Sequence, residues 1–235
     1  MAWMRPLWLL FLFGAPGAGK STLAARLAQR HCWRHINVGE LLRRAALGNS
    51  SLVSPTQARE LRELLATGDR IAPSAVTVKL LADELQLKAA SSANAPAGQV
   101  IIDGFPRNRE NWETFETLVQ QSKSVSLAYN FIWLELSFAT ALARARTRGR
   151  SDDIDQVVAQ RFAVYSRETL PLQKLLPTER LYVIPADRSP DEIETMTERL
   201  LRDLGIDAEH KSSPQQQVTC IADRSEHDHP DATTA

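Results

Sequence analysis

A doubly wound α/β fold on a parallel five-stranded sheet flanked by helices is the architecture this sequence predicts, and three observations carry the prediction. Apolar runs too short for helices recur at Leu7 to Phe13, Gln99 to Ile102, Phe131 to Leu136 and Leu181 to Ile184. Each precedes a stretch with helical periodicity, and continuous apolar runs of this length mark strands buried on both faces of a parallel sheet. A glycine-rich turn follows the first run directly, at the carboxyl end of a strand, where α/β sheets hold their ligands. A fifth, weaker strand falls near His35 to Val38, where Ile36 and Val38 alternate with polar residues.

The turn Gly14-Ala15-Pro16-Gly17-Ala18-Gly19-Lys20-Ser21-Thr22 reads as a phosphate-binding loop, a P-loop. Its backbone N–H groups point inward at an anion, and the helix that follows, with Leu23 and Leu27 on its apolar face, adds the positive end of its dipole. Glycine is needed wherever a Cβ would block the phosphate oxygens. Gly17, Ala18, Gly19, Lys20, Ser21 and Thr22 are therefore the candidate phosphate-binding residues. Lys20 reaches the β and γ phosphates, and Ser21 or Thr22 offers a hydroxyl to a magnesium ion or to the phosphates.

Later elements carry their own punctuation. Ser54-Pro55 opens a helix with Leu61, Leu64 and Leu65 on its apolar face, and Gly68 closes it. Ser189-Pro190-Asp191-Glu192 combines an N-cap, a proline at the first helical position and a capping-box glutamate; Gly205 ends that helix. Residues 91–98 read as a small-residue loop. From Ala208 onward the chain turns polar, and residues 208–235 are expected to be a disordered tail dispensable for chemistry.

Bulk properties narrow the function classes. The chain has 235 residues, 43% hydrophobic and 24% charged, enough for one sizeable core. Its formal net charge is zero, so no global field draws it to nucleic acid or an anionic membrane. Cys32 and Cys220 are too few and too far apart to read as a disulfide framework or a zinc site, which fits a reducing, cytoplasmic setting. The apolar N-terminal run flows straight into the glycine loop, so it reads as a first strand rather than a signal peptide. No other apolar run approaches the roughly 20 residues that span a bilayer.

Two more constellations bear chemistry. Asp103-Gly104-Phe105-Pro106-Arg107 follows the strand Gln99 to Ile102, at the same sheet edge as the glycine loop. There Asp103 holds magnesium through its waters while Arg107 clamps a second phosphate. Arg144, Arg146, Arg148, Arg150, Asp152, Asp153 and Arg161 form the other group. Such a density of arginine repels itself unless anions lie nearby, and phosphoryl transfer needs cations around the migrating group. Asp152 and Asp153 orient these arginines by pairing; a solvated helix face accounts equally well for Arg144 and Arg146.

These blocks, in this order, resemble the nucleoside monophosphate kinases of the adenylate kinase superfamily, from about Leu7 to Gly205. The landmarks are the phosphate loop, the Asp103 to Arg107 turn, the stretch Gly149-Arg150-Ser151-Asp152-Asp153 leading to Arg161, and Val38-Gly39-Glu40-Leu41-Leu42-Arg43. The resemblance implies a kinase domain over residues 1–207. Its core would comprise 1–36, 73–146 and 155–207, with an acceptor-binding flap over 37–72 and a short lid over 147–154. It also implies magnesium-dependent transfer of the γ-phosphoryl of ATP to a nucleoside monophosphate by a monomer that engages neither nucleic acid nor membrane. Lys20 would follow the migrating phosphoryl. Arg43, Arg107, Arg150 and Arg161 would hold the acceptor phosphate, with Arg148 and Arg188 beside the donor. Arg146 remains open as an alternative to Arg148.

The acceptor base is read from the family's position four residues past Arg107, which here is Asn111. Pro106-Arg107-Asn108-Arg109-Glu110-Asn111 looks like the UMP/CMP kinases, whereas adenylate kinases usually carry glutamine there. Gly68-Asp69-Arg70-Ile71-Ala72-Pro73 resembles the same subgroup, so Gly39, Arg70, Ile71, Ala72, Gly104, Phe105, Pro106 and Asn111 complete the expected acceptor site. UMP, CMP or dCMP is the expected substrate, in pyrimidine nucleotide metabolism. An adenylate kinase carrying Asn111, a catalytically decayed nucleotide-binding protein and a kinase for a non-nucleotide metabolite are the alternatives. Two departures stand out: Asn37 where serine or threonine is usual, and Ser21 where glycine is common. The lid is shorter than in typical short-lid members, and no cysteines are placed for a lid zinc.

Overall fold

The computed structural model describes residues 7–87, 98–122, 126–148 and 155–206, with all their side chains except those of residues 145, 146, 148 and 155. Five parallel strands form one sheet in the order β2-β3-β1-β4-β5. They are β1 (Leu7–Gly14), β2 (Arg34–Asn37), β3 (Gly98–Asp103), β4 (Leu127–Glu135) and β5 (Leu181–Pro185). The helices are α1 (Lys20–His31), α2 (Val38–Ala46), α3 (Pro55–Thr67), α4 (Ser74–Glu84), α5 (Arg109–Gln121), α6 (Phe138–Arg148), α7 (Asp155–Val164) and α8 (Pro190–Asp203). A π-helical turn, Tyr165–Thr169, continues directly from α7.

Strand β1 is apolar at every position because it is covered on both faces. Alternate side chains go to opposite sides of the sheet. Leu9, Phe11 and Phe13 pack with Phe131, Trp133, Phe105 and Phe115 in one layer. Leu10 and Leu12 pack with Ile101, Ile132, Leu23, Leu27 and Leu201 in the other, beneath α1 and α8. This double cover explains why the first apolar run carries no polar alternation.

The topology places the site. From β1 the chain passes outward to β2, whereas from the adjacent β3 it crosses back past β1 to β4, so the two connections diverge at neighbouring strand ends. The crevice opens at such a switch point. Register pairs Leu12 with Asp103 and Gly14 with Leu134, so the glycine loop and the Asp103 carboxylate emerge side by side.

Several boundaries differ from the sequence expectation for physical reasons. Strand β4 begins at Leu127, four residues before Phe131, because Leu127 to Asn130 pair with the start of β1. Asn130 is tolerated there because its side-chain oxygen accepts the indole N–H of Trp8 at 3.1 Å. Strand β2 ends at Asn37, since Asn37 caps α2 and Val38 is already helical. Both capping boxes form, Ser54 with Gln57 and Ser189 with Glu192. Cys32 sits at the left-handed C-cap of α1, where its backbone N–H donates to the Ala28 carbonyl oxygen. Among the described residues no helix is long and apolar enough to cross a membrane.

Candidate active site

The loop between β1 and α1 is shaped by backbone proximity. A Cβ on Gly14 would stand 2.5 Å from the Leu134 carbonyl oxygen, and one on Gly17 would stand 2.5 Å from that of Ala141. Gly19, at φ 87°, is the N-cap of α1 and supplies no side chain, so the first N–H groups of α1 are left without a side-chain cap. Lys20 folds back over the loop, donating from Nζ to the carbonyl oxygens of Gly14 and Ala15, each at 2.8 Å. Ala18 is fully buried beneath the loop, and Thr22 is exposed on α1.

Beside it, the buried Asp103 carboxylate gathers donors from two elements, α1 and β2. Ser21 Oγ donates to Asp103 Oδ2 at 2.5 Å, and Asn37 Nδ2 donates to the same oxygen at 2.7 Å. His35 Nε2 lies 3.8 Å from it, beyond hydrogen-bonding reach, and is buried without a hydrogen-bond partner. Burial alone would push the Asp103 carboxyl up. His35, the Lys20 ammonium and the Ser21 hydroxyl outweigh burial and hold it below the usual carboxylate range. An ionised carboxylate next to a hydroxyl at a phosphate loop suits magnesium, which takes hard oxygen ligands and keeps several waters. Among the described residues no cluster of three His, Cys, Asp or Glu side chains forms a protein-only metal cage.

Across the cleft stand three arginines from three elements. Arg43 comes from α2, where its Nε donates to Glu40 at 2.9 Å. Arg107 follows the turn after β3, and its Nε donates to the Gly104 carbonyl oxygen at 3.3 Å. Arg161 comes from α7 and reaches over Gly68 at the end of α3, where a Cβ would stand 3.0 Å from Arg161 Cγ. All three line one cleft with Lys20, Ser21 and Asp103. Arg107 opens onto the water of that cleft. Even so, desolvation by the cleft walls, together with like charge from Arg161 and Arg43, pulls its pKa below the ordinary arginine value against the opposing pull of Asp103. Cations held this close create a potential that an anionic group relieves.

Gly17, Gly39, Arg70, Ile71, Gly104 and Pro106 line the same cleft. A smaller pocket adjoins it, walled by Leu42, Leu64, Ile71, Ala72, Thr77 and Asn111. Asn111 is almost fully buried, and its amide is held at both ends. Oδ1 accepts the backbone N–H of Arg107 at 3.0 Å, and Nδ2 donates to Ser74 Oγ at 2.8 Å. One N–H and one lone pair of that amide remain for a ligand.

Two expected residues lie elsewhere. Phe105 is wholly buried against Phe11 and Phe115, where it anchors the turn from the core side. Arg188 lies outside the cleft, 3.6 Å from Glu192, while its carbonyl oxygen accepts from Arg144 at 3.0 Å. The backbone of Arg148 ends α6; its side chain, together with Arg150, Asp152 and Asp153, lies outside the described residues.

The cleft also holds residues that motif reading did not single out. Tyr165 and Thr169 enter from the π-helical turn. The Thr169 hydroxyl donates to the Arg107 carbonyl oxygen at 2.7 Å, so Arg107 is braced at its N–H by Asn111 and at its carbonyl by Thr169. Burial pushes the Tyr165 phenol up to about 12, which leaves it a neutral donor near neutral pH. A π turn has no sequence signature, although such turns frequent functional sites.

Comparison with known proteins agrees with this geometry. The adenylate kinase family model matches residues 12–180. UMP-CMP kinase of Homo sapiens is 33% identical over 192 residues, 81% of this chain and 94% of its own length. Adenylate kinase of Synechococcus sp. (strain CC9902) is 34% identical over 195 residues, 83% of this chain and 96% of its own length. UMP-CMP kinase of Xenopus laevis is 30% identical over 202 residues, 84% of this chain and 99% of its own length. With the phosphate loop, the ionised Asp103 and the three-arginine wall assembled around one cleft, the chain belongs to the adenylate kinase family and is a nucleoside monophosphate kinase.

Proposed function

We propose that the enzyme transfers the γ-phosphoryl of ATP to a pyrimidine monophosphate, UMP or CMP, with magnesium. The observation that carries the choice of base is Asn111, a buried amide fixed at the wall of the pocket beside Arg107. With one donor and one acceptor to spare, it complements the edge of a pyrimidine. The UMP-CMP kinases among the similar proteins support the same reading.

Lys20, now bound to loop carbonyls, turns toward the β and γ phosphates when ATP enters. Arg107, Arg43 and Arg161 hold the acceptor phosphate and neutralise charge that spreads over the migrating group, which is the main task in phosphoryl transfer. Arg150 would join them on the acceptor phosphate and Arg148 would stand beside the donor, as the family resemblance implies. Asp103, through water, and Ser21 would hold the magnesium ion, which would draw charge from the phosphates. The acceptor phosphate oxygen is itself nucleophilic, so no general base is required. Closure of residues 37–72 and 147–154 over the nucleotides excludes the water that would otherwise hydrolyse ATP.

Initial rates with ATP and a panel of UMP, CMP, dCMP and AMP test this reading. Turnover with UMP or CMP should exceed that with AMP. Preference for AMP over both pyrimidines would support instead the adenylate kinase reading, which the Synechococcus protein favours.

A further inference from the structure

The side chain of Asn37 joins the Asp103 carboxylate at the end of β3 to the N-terminus of α2. Its Oδ1 accepts the backbone N–H of Glu40 at 2.9 Å, which caps α2. That bond fixes which way the amide faces: the oxygen is committed to the helix, so the nitrogen is presented to the carboxylate. Nδ2 donates to Asp103 Oδ2 at 2.7 Å and stands 3.3 Å from Ser21 Oγ. Ser21 and Asn37 thus converge on one oxygen of Asp103. The helix tethered in this way carries Gly39 and Arg43, which form the acceptor wall of the cleft.

The two atoms that Nδ2 addresses are those the phosphate-loop side offers to magnesium. A hydrated cation bound at Ser21 Oγ brings its O–H donors to the adjoining Oδ2 of Asp103, whose room for about two donors is already taken by Ser21 and Asn37. At that oxygen the amide of Asn37 and the hydration shell of the metal compete.

We propose that Asn37 is a positioning residue that couples loading of the metal–nucleotide to the acceptor half of the site. Without metal it ties α2 to Asp103. When the metal arrives with the donor nucleotide, its waters displace Nδ2, and α2 is freed to carry Arg43 onto the monophosphate. The proposal rests on the magnesium-kinase reading above, and it concerns ground-state binding rather than chemistry.

The experiment is a calorimetric titration of monophosphate into protein saturated with a non-hydrolysable ATP analogue, once with Mg2+ and once with EDTA. The monophosphate is the one the wild type phosphorylates fastest. Asn37→Ser and Asn37→Thr are compared with wild type, since both keep an N-cap oxygen but lose the amide N–H and its reach. Wild type should bind the monophosphate about fivefold or more tightly on addition of metal. Both variants should bind more tightly than wild type in EDTA and gain no more than about twofold from metal. Variants that keep the wild-type metal effect, or a wild type that shows none, overturn the proposal. A measurement on wild type alone guards against misfolded variants: the side-chain amide resonance of Asn37 should shift when Mg2+ is added to the analogue complex. An unmoved resonance also overturns the coupling. A wild type that binds no monophosphate under either condition overturns the kinase reading instead.

Discussion

The backbone N–H of Arg107 donates to Oδ1 of Asn111 at 3.0 Å, so the residue proposed to read the base also sets the position of the arginine proposed to bind the phosphate. In that proposal, base recognition and phosphate placement are mechanically one unit. The Asn111 amide is buried, and its loss strands both the Arg107 N–H and the Ser74 hydroxyl. Asn111→Ala should therefore cost about 1–3 kcal/mol of stability. It should raise KM for the monophosphate with little change in KM for ATP. Urea denaturation and initial-rate kinetics check the two halves; a variant with wild-type monophosphate KM would separate Asn111 from the acceptor site.

Lys20 Nζ donates to the loop carbonyl oxygens of Gly14 and Ala15, and its ammonium helps keep the buried Asp103 carboxylate ionised. Lys20→Ala should fold with some loss of stability and lose on the order of 10²-fold or more in kcat. Near-normal turnover in the purified variant would remove Lys20 from the reaction.

Gly68 ends α3 at φ 65°, with Arg161 lying over the space a Cβ would fill. Gly68→Ala should cost about 1 kcal/mol or more through the left-handed backbone. It should also push Arg161 off the cleft wall, raising KM for the monophosphate several-fold more than KM for ATP. Equal changes in both would show that Arg161 is not set by this contact.

The Asp103 carboxyl is held below its ordinary value of 3.8 in the folded protein. A depressed carboxylate contributes stability that is fully present above the unfolded pKa and is lost as pH falls through the folded one. The wild-type denaturation midpoint should therefore fall as pH drops from about 4 toward the lower, folded value. Asp103→Asn should remove this part of the acid loss. If its midpoint falls with the wild-type slope below pH 4, the carboxylate is not the source of the shift.

Much of this was legible in the sequence because it is local. The β1 run, the glycine loop and the Ser54 and Ser189 caps each depend on residues within a few positions of one another. Convergence across the chain was less accessible. Asn37 and Asp103 are 66 positions apart, and nothing in either neighbourhood announces that their side chains share a bond. Motif adjacency also blurs roles: Phe105 lies within the Asp103 to Arg107 turn but faces the core, because β3 ends at Asp103 and Gly104, at φ 82°, redirects the chain so that Phe105 packs against Phe11 and Phe115. The π turn at Tyr165–Thr169 shifts its residues by packing rather than by composition, so neither cleft residue was visible before the fold.

That turn yields a test of its own. Thr169 is largely buried and spends its hydroxyl on the Arg107 carbonyl oxygen at 2.7 Å, 62 residues away in sequence. Valine has nearly the same shape but no donor, so Thr169→Val leaves the carbonyl unsatisfied and should cost about 1 kcal/mol. Arg107 would then be braced only by Asn111. If the π turn exists to fix Arg107, the variant should raise KM for the monophosphate while the KM for ATP stays level. Serine, which keeps the hydroxyl, should restore the wild-type value. A Thr169→Val enzyme that is less stable but kinetically normal would make the contact a fold anchor alone.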